Sequence, residues 1–176
     1  MSEALRRQII MAKSQVQFTQ DNEYYTPKEF VAHFGSFDYD PATTKKKAEE
    51  FGIPNYDTIE TDGLLSDWTQ YKRIWINPPF TRKHEFIAKA WKTYQEVKNE
   101  IYILFPIEFL TTARFYNAVV GGGKLFVPNG RINFESGLGK KGKSPAFGSV
   151  VLTLQDNWEI ELIQLTPKKR KLFNIL

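Results

Sequence analysis

The tetrapeptide Asn-Pro-Pro-Phe at positions 77–80 directly follows an apolar stretch and brings together groups that can bind a planar amine. Pro78 and Pro79 fix the backbone φ and remove two amide donors, so the segment presents carbonyl groups on a rigid frame. The Asn77 side-chain oxygen and the Pro78 carbonyl form a pair of acceptors, which suits an NH2 group because that group has only donors to satisfy. Phe80 adds an aromatic face on which a planar ring can stack. The segment therefore indicates a site for the exocyclic amine of a planar heterocycle or amide.

Alternating strands and helices along the chain predict how this segment is positioned. Strands are predicted at 36–42, 56–63, 71–76, 100–106, 124–128, 131–136, 150–155 and 158–165, and helices at 26–34, 43–52, 83–99 and 106–123. This order predicts an α/β fold with a mainly parallel sheet covered by helices on both faces, and the closely spaced last strands predict an antiparallel edge. Because ligands of such sheets bind beyond the carboxyl ends of the strands, we expect Asp40, Asp62 and Asn77 to face one crevice.

The composition argues against several other kinds of site. The chain of 176 residues has no cysteine and only two histidines, which lie far apart, so we expect no disulfide, thiol nucleophile or metal site. No apolar run reaches the roughly 20 residues that span a bilayer, and the N-terminus lacks the apolar core of a signal peptide. We therefore expect a soluble cytoplasmic protein. A net charge of +4 permits a polyanionic partner without requiring one.

The tetrapeptide also resembles the catalytic signature of S-adenosylmethionine-dependent amino-methyltransferases. Further stretches occur in an order similar to that of the small DNA N6-adenine methyltransferases often encoded by phages and prophages: YYTPKEF, FDYDPA, TDGLLSDW, RIWINPPF, LFP, GRINF and SPAFGS. The resemblance covers about residues 24–154. It implies a Rossmann-like methyltransferase domain at 23–166, preceded by a helix and linker at 1–22 and followed by a basic tail at 167–176.

The resemblance implies that the chain methylates N6 of an adenine in DNA, with a short or relaxed target sequence. Asn77 and the Pro78 carbonyl then hold the adenine amino group and direct its nitrogen lone pair, while Phe80 stacks on the base. Positioning and electrostatics supply the acceleration, and no metal is needed. An adenine in a duplex reaches such a pocket only when it is flipped out of the stack.

The implied S-adenosylmethionine pocket contains Tyr25, Thr26, Pro27, Asp40, Pro41 and Asp62. Asp40 lies nearest the amino-acid end of the cofactor, where a carboxylate suits an ammonium group, and Asp62 serves the ribose or adenine end. One departure from the usual pattern is that no Gly-x-Gly follows the first strand. Thr26 is equally well explained as a helix cap and each aspartate as a turn residue.

Basic residues in the C-terminal half of the chain are the candidates for DNA contact. The loop Gly137–Ser144 combines glycines with Lys140, Lys141 and Lys143, and Arg131 lies shortly before it. An exposed hairpin loop explains the same residues equally well. Two alternatives to methylation of DNA adenine stay open. The first is methylation of RNA, at guanine N2 or adenine N6, and the second is a non-catalytic nucleic-acid-binding protein that retains the fold. A protein-glutamine methyltransferase fits the basic loops less well, because such loops suit an anionic acceptor. The sequence assigns no oligomeric state.

Overall fold

The computed structural model describes residues 24–119, 121–136 and 147–164. The expected helix and linker at 1–22, the tail at 167–176, and Lys140, Lys141 and Lys143 lie outside these ranges. The described strands are β1 (Tyr24–Tyr25), β2 (Tyr39–Asp40), β3 (Asn55–Tyr56), β4 (Arg73–Ile76), β5 (Glu100–Pro106), β6 (Gly122–Pro128), β7 (Glu135–Ser136), β8 (Ser149–Gln155) and β9 (Glu159–Ile163). The helices are α1 (Lys28–Ala32), α2 (Lys45–Phe51), α3 (Lys83–Val97) and α4 (Ala113–Ala118), with a 3-10 helix at Ile107–Thr111.

Seven strands of the described ranges form one sheet in the order β3-β2-β4-β5-β8-β6-β9. The first four strands in this order, β3, β2, β4 and β5, are parallel to one another. Strands β6 and β9 are also parallel to each other, and β8 is antiparallel to both of its neighbours, β5 and β6. The predicted α/β, mainly parallel class is therefore confirmed, but the antiparallel strand lies inside the sheet and not at its edge. The reason is that Val150, Val151 and Leu152 of β8 are all buried and so need cover on both faces of a central strand.

Helices cover both faces of this sheet, as predicted. On one face Ile74 and Ile76 of β4 belong to a core that includes Phe86 and Ile87 of α3. On the other face Trp75 packs in a second core with Phe30 of α1 and other apolar residues. Alternate residues of β4 therefore enter opposite cores, which anchors the strand that leads to Asn77.

Three predicted elements differ from the structure. The strand expected at 56–63 is limited to Asn55–Tyr56, and turns follow it. The helix expected at 106–123 is divided, because the Thr112 side chain accepts a hydrogen bond from the backbone N–H of Phe115 and starts a new helix there. Of the strand expected at 131–136 only Glu135–Ser136 forms, and it pairs with β1 in a two-stranded antiparallel sheet, which we call the β1–β7 ribbon.

Candidate active site

Asn77 follows the last residue of β4 and is held by a hydrogen bond to a distant segment. Its side-chain Nδ2 donates to Oγ1 of Thr26 over 3.2 Å, across 51 positions of the sequence. Thr26 is only 2% exposed. It was expected to cap helix α1, but Pro27 is the N-cap residue and makes no side-chain cap. The Thr26 hydroxyl is therefore directed at Asn77, and not at the start of the helix.

The rest of the tetrapeptide forms a turn that is fixed through its carbonyl groups. The Pro79 carbonyl accepts from the backbone N–H of Arg82 at 3.0 Å, and the Phe80 carbonyl accepts from Lys83 Nζ at 2.8 Å. Neither bond uses the Asn77 side-chain oxygen or the Pro78 carbonyl, which are the two acceptors that the sequence predicts. The turn thus holds the segment through carbonyl groups other than the two proposed acceptors.

Lys83 joins this turn to the neighbouring aromatic residues. Its Nζ lies 4.9 Å from the centroid of the Phe109 ring. Burial, together with the charge of Arg114, lowers the pKa of Lys83. The sequence gives no sign of this bond, because the spacing of Lys83 from Phe80 is common to many turns and helix starts.

Phe80 meets a second aromatic residue that the sequence analysis did not single out. The rings of Phe80 and Phe147 are 5.4 Å apart, with an interplanar angle of 89°. The next residue, Gly148, accepts a backbone hydrogen bond from Ile107 at 3.0 Å, which attaches this segment to the carboxyl end of β5. Only the resemblance, through the stretch SPAFGS, pointed to this region.

Asp40 ends β2, the strand that pairs with β4 through Tyr39 and Ile74. It is 2% exposed, and its Oδ1 accepts from the backbone N–H of Ala42 at 2.9 Å. Burial raises the pKa of Asp40 to about 7, because a carboxylate is poorly solvated there. The carboxyl group therefore titrates near neutral pH and would be stabilised in its charged form by a cation.

Asp62 lies six residues beyond β3 and not at a strand end, which corrects the sequence-based placement. Its backbone φ is 50°, the left-handed region typical of turns. Its Oδ2 accepts from Arg82 at 3.2 Å and its Oδ1 from the backbone N–H of Leu64 at 3.2 Å. Arg82 thereby connects the Asp62 turn to the segment that follows Phe80.

The loops after β2 and β3 are in direct contact. A Cβ placed on Gly63 would lie 2.0 Å from the Pro41 carbonyl oxygen, so the two backbones touch where a side chain would not fit. Together with the Asp62–Arg82 ion pair, this contact brings the segments of Asp40, Asp62 and Asn77 to one edge of the sheet. That these three residues face one crevice stays a prediction.

Of the remaining predicted residues that the structure describes, Tyr25 belongs to the β1–β7 ribbon and Arg131 lies between β6 and β7. Tyr25 pairs with Glu135, whose carboxylate accepts from Lys47 Nζ at 2.6 Å. Arg131 is exposed, next to the buried Ile132. In the described ranges we find no group of three or more His, Cys, Asp or Glu residues that could hold a metal ion, and no helix there is long and apolar enough to cross a bilayer.

The strand order, with one reversed strand inside an otherwise parallel sheet, and the polar residues at the carboxyl ends of β2 and β4 define a Rossmann-like methyltransferase fold. Comparison of the sequence with known families identifies the particular family. The model of the family described as DNA N-6-adenine-methyltransferase (Dam) matches residues 13–174, and the chain belongs to this family. The resemblance stated from the sequence is thus confirmed.

Two individual proteins illustrate the relationship. A DNA N-6-adenine-methyltransferase of Escherichia phage T1 is 30% identical over 160 residues, and the match covers 79% of this chain and 65% of the phage protein. The chain therefore spans slightly less than two thirds of that relative. A predicted O-methyltransferase of Agrobacterium tumefaciens has a TM-score of 0.38 and 10% identity, over 72% of this chain and 65% of that one. So low a TM-score adds nothing to the fold assignment, which rests on the strand order.

Proposed function

We propose that the chain transfers a methyl group from S-adenosylmethionine to N6 of an adenine in DNA. The observation that carries the proposal is the position of Asn77: it follows a strand buried on both faces, its amide nitrogen is bonded to Thr26, and it lies in a chain of the Dam family. An uncharged amide oxygen with this support is suited to accept a hydrogen bond from an aromatic amine.

The residues near Asp40 fit the cofactor that the proposal requires. A buried carboxyl group with a raised pKa favours a cationic partner, and the α-ammonium of S-adenosylmethionine is such a group. Asp62 already accepts from Arg82 and Leu64, so ribose hydroxyls would share its oxygens, which have further lone pairs. Tyr25, Pro27 and Pro41 complete the proposed lining. Bound S-adenosylmethionine supplies an electrophilic methyl group on a sulfonium.

In this proposal the residues of the tetrapeptide position the acceptor amine. The Asn77 side-chain oxygen and the Pro78 carbonyl accept hydrogen bonds from its two N–H groups in positions that favour a tetrahedral nitrogen. Its lone pair is then less delocalised into the ring and is directed at the methyl group that leaves the sulfonium, and the extra proton is lost after transfer. Phe80 stacks on the base, and the bond from Lys83 to the Phe80 carbonyl keeps that part of the turn in place. Such positioning is worth several orders of magnitude in rate when reacting groups are held in line.

We assign contact with DNA to Arg131 and to the basic residues that follow it in the sequence. Arg131 follows the carboxyl end of β6 and is exposed, while the adjacent Ile132 is buried and anchors the segment. Lys140, Lys141 and Lys143 come next in the sequence and supply charge for phosphate contacts. Loss of one phosphate contact is expected to weaken binding in a salt-dependent manner without changing the target sequence.

The test is methyl transfer by the purified chain. The protein is incubated with labelled S-adenosylmethionine and unmethylated DNA, the DNA is digested to nucleosides, and label is expected in N6-methyldeoxyadenosine. Asn77→Ala is the matched inactive control. Sequencing of methylated DNA after expression in a methylation-free host then reports the target sequence, which we expect to be short or relaxed.

Other results of the same experiment would replace the proposal. Label found in RNA and not in DNA would show an RNA amino-methyltransferase, and the labelled nucleoside would distinguish adenine N6 from guanine N2. Binding of nucleic acid without calorimetric binding of S-adenosylmethionine would show a non-catalytic protein that retains the fold.

A further inference from the structure

We propose that Thr26 is a positioning residue that holds the Asn77 carboxamide with its NH2 end toward the Thr26 hydroxyl and its oxygen toward the acceptor amine. The inference rests on the proposed function and gives Thr26 a role other than lining the cofactor pocket. It starts from the hydrogen bond of 3.2 Å between Asn77 Nδ2 and Thr26 Oγ1.

The orientation of a carboxamide matters because its two ends have opposite hydrogen-bonding character and nearly equal size. The oxygen accepts hydrogen bonds, whereas the NH2 group only donates them. If Asn77 were rotated by half a turn, its NH2 group would face the NH2 group of the base, and neither could accept from the other. A hydrogen bond that holds Nδ2 on the Thr26 side directs Oδ1 away from Thr26.

Thr26 is itself held firmly enough to keep this hydrogen bond in place. Its side chain is 2% exposed, and a β-branched side chain has few χ1 rotamers available. Pro27 follows with φ at −62°, and Phe30 and Val31 of α1 are buried just beyond it. The hydroxyl position is thus fixed by the packing of α1.

The segment before Thr26 is fixed by the β1–β7 ribbon. Tyr25 pairs with Glu135, and Glu135 is bound by Lys47, which also forms an ion pair of 2.8 Å with Glu50. The Lys47 Nζ lies 5.7 Å from the centroid of the Tyr25 ring. Thr26 is therefore anchored on both sides, by the ribbon before it and by α1 after it.

The test compares two substitutions at position 26. Thr26→Val preserves the shape and removes the hydroxyl, and we expect it to lower kcat roughly tenfold, the usual weight of one neutral hydrogen bond, while the Kd for S-adenosylmethionine stays within about twofold of the original. Thr26→Ser keeps the hydroxyl and is expected to rescue most of the kcat lost in the valine variant. Calorimetry measures the Kd, and steady-state methylation of DNA measures kcat and KM.

A second pair of variants tests the mechanism by removing the choice of orientation. The carboxylate in Asn77→Asp has oxygens at both ends, so its rotation presents an acceptor either way. We expect Thr26→Val to lower kcat much less in the Asn77→Asp background than in the chain with Asn77. An equal loss in both backgrounds would show that Thr26 acts through packing.

Two other results would also overturn the inference. A weakened cofactor Kd with unchanged kcat would place Thr26 in the cofactor pocket alone, and a kcat unaffected by Thr26→Val would remove its role. If the original chain methylates DNA while either result is found, only this inference fails. If the original chain methylates no nucleic acid, the proposed function fails as well.

Discussion

Strands β2 and β4 are parallel neighbours, and a similar dipeptide stands where each one ends: Asp40-Pro41 at the end of β2 and Asn77-Pro78 directly after β4. The two ends are nevertheless built differently. Asp40 is almost fully buried and accepts a hydrogen bond from its own loop, at Ala42. Asn77 is partly exposed and donates to Thr26, which precedes β2 in the chain. Proline ends the strand at both places, so the difference lies in the side chain that comes just before it.

Under the proposed function, this difference would separate binding of the cofactor from orientation of the acceptor amine. The pKa of Asp40, raised to about 7 by burial, makes its charge responsive to a cation that arrives beside it. An amide has no charge to change near neutral pH, so the contribution of Asn77 comes from the direction of its donor and acceptor atoms. We infer that the β2 end serves the affinity for S-adenosylmethionine and the β4 end serves the rate of transfer.

The largest effect is expected from Asn77→Ala, which removes the proposed side-chain acceptor. By analogy with the loss of one pre-organised hydrogen-bonding group at a transition state, kcat should fall at least ~10²–10³-fold. The Kd for S-adenosylmethionine should stay within about twofold, because the Asp40 end is untouched. Single-turnover methylation and calorimetry measure the two quantities separately. An Asn77→Ala variant that loses cofactor affinity and keeps its rate would reverse the assignment of the two strand ends.

The next largest effect is expected from Asp40→Asn, which makes the β2 end resemble the β4 end. At pH 8 the Kd for S-adenosylmethionine should rise by roughly 10- to 100-fold, the usual weight of a hydrogen bond to a charged group. The kcat at saturating cofactor should change far less.

The pH dependence of the Kd for S-adenosylmethionine tests whether the Asp40 charge causes this effect. Asp40 is largely neutral below its pKa of about 7 and charged above it, so affinity for a cationic ligand should increase as pH rises to about 7 and then level off. In Asp40→Asn this rise should disappear. At pH 6, calorimetry in two buffers with different ionisation enthalpies should detect proton release on binding to the original chain and much less for the variant. A rise of equal size in both proteins would assign the titration to another group.

The β4 end was predictable from sequence because its determinants are local. The apolar residues 74–76 predict a buried strand, and the two prolines that follow must end it. The long helix α3 was predictable for the same reason, since its apolar residues recur at helical spacing. Asp40 could also be placed at a strand end, but its burial could not be predicted, because it depends on the cover supplied by distant parts of the chain.

The bond from Thr26 to Asn77 and the contact of Phe147 with Phe80 were not predictable from local pattern. Each joins residues more than 50 positions apart, and Thr26-Pro27 is a common way to begin a helix. The place of Asp62 was mispredicted for a related reason. The residues from Asp57 onward alternate enough to suggest a strand, but the backbone forms turns there, and side-chain hydrogen bonds hold those turns. Asp57, for example, accepts hydrogen bonds from Ser66 and from Tyr39.

The smallest effect, and the finest test of the comparison, is expected from Gly63→Ala. The new Cβ would lie 2.0 Å from the Pro41 carbonyl oxygen, so the loop that contains Asp62 must move away from the Asp40 end. Overpacking of this kind costs ~1–3 kcal/mol in the free energy of unfolding, which chemical denaturation measures. Because the φ of Gly63 is not positive, the cost is steric and not a matter of glycine's conformational freedom. Affinity for S-adenosylmethionine should fall by less than in Asp40→Asn, and kcat at saturating cofactor should be nearly unchanged.

Gly52→Ala provides the matched control for this prediction. Gly52 closes α2 with φ at 70°, and no atom from another part of the described chain lies within 4 Å of the Cβ that it would gain. Alanine there should cost about 1 kcal/mol through backbone strain, with no loss of cofactor affinity. If Gly63→Ala lowers kcat and leaves cofactor affinity intact, the contact between the loops serves the β4 end, through Asp62 and Arg82. The same loop contact would then support both ends, and the proposal that the β2 end determines cofactor affinity while the β4 end determines the rate of transfer would be wrong.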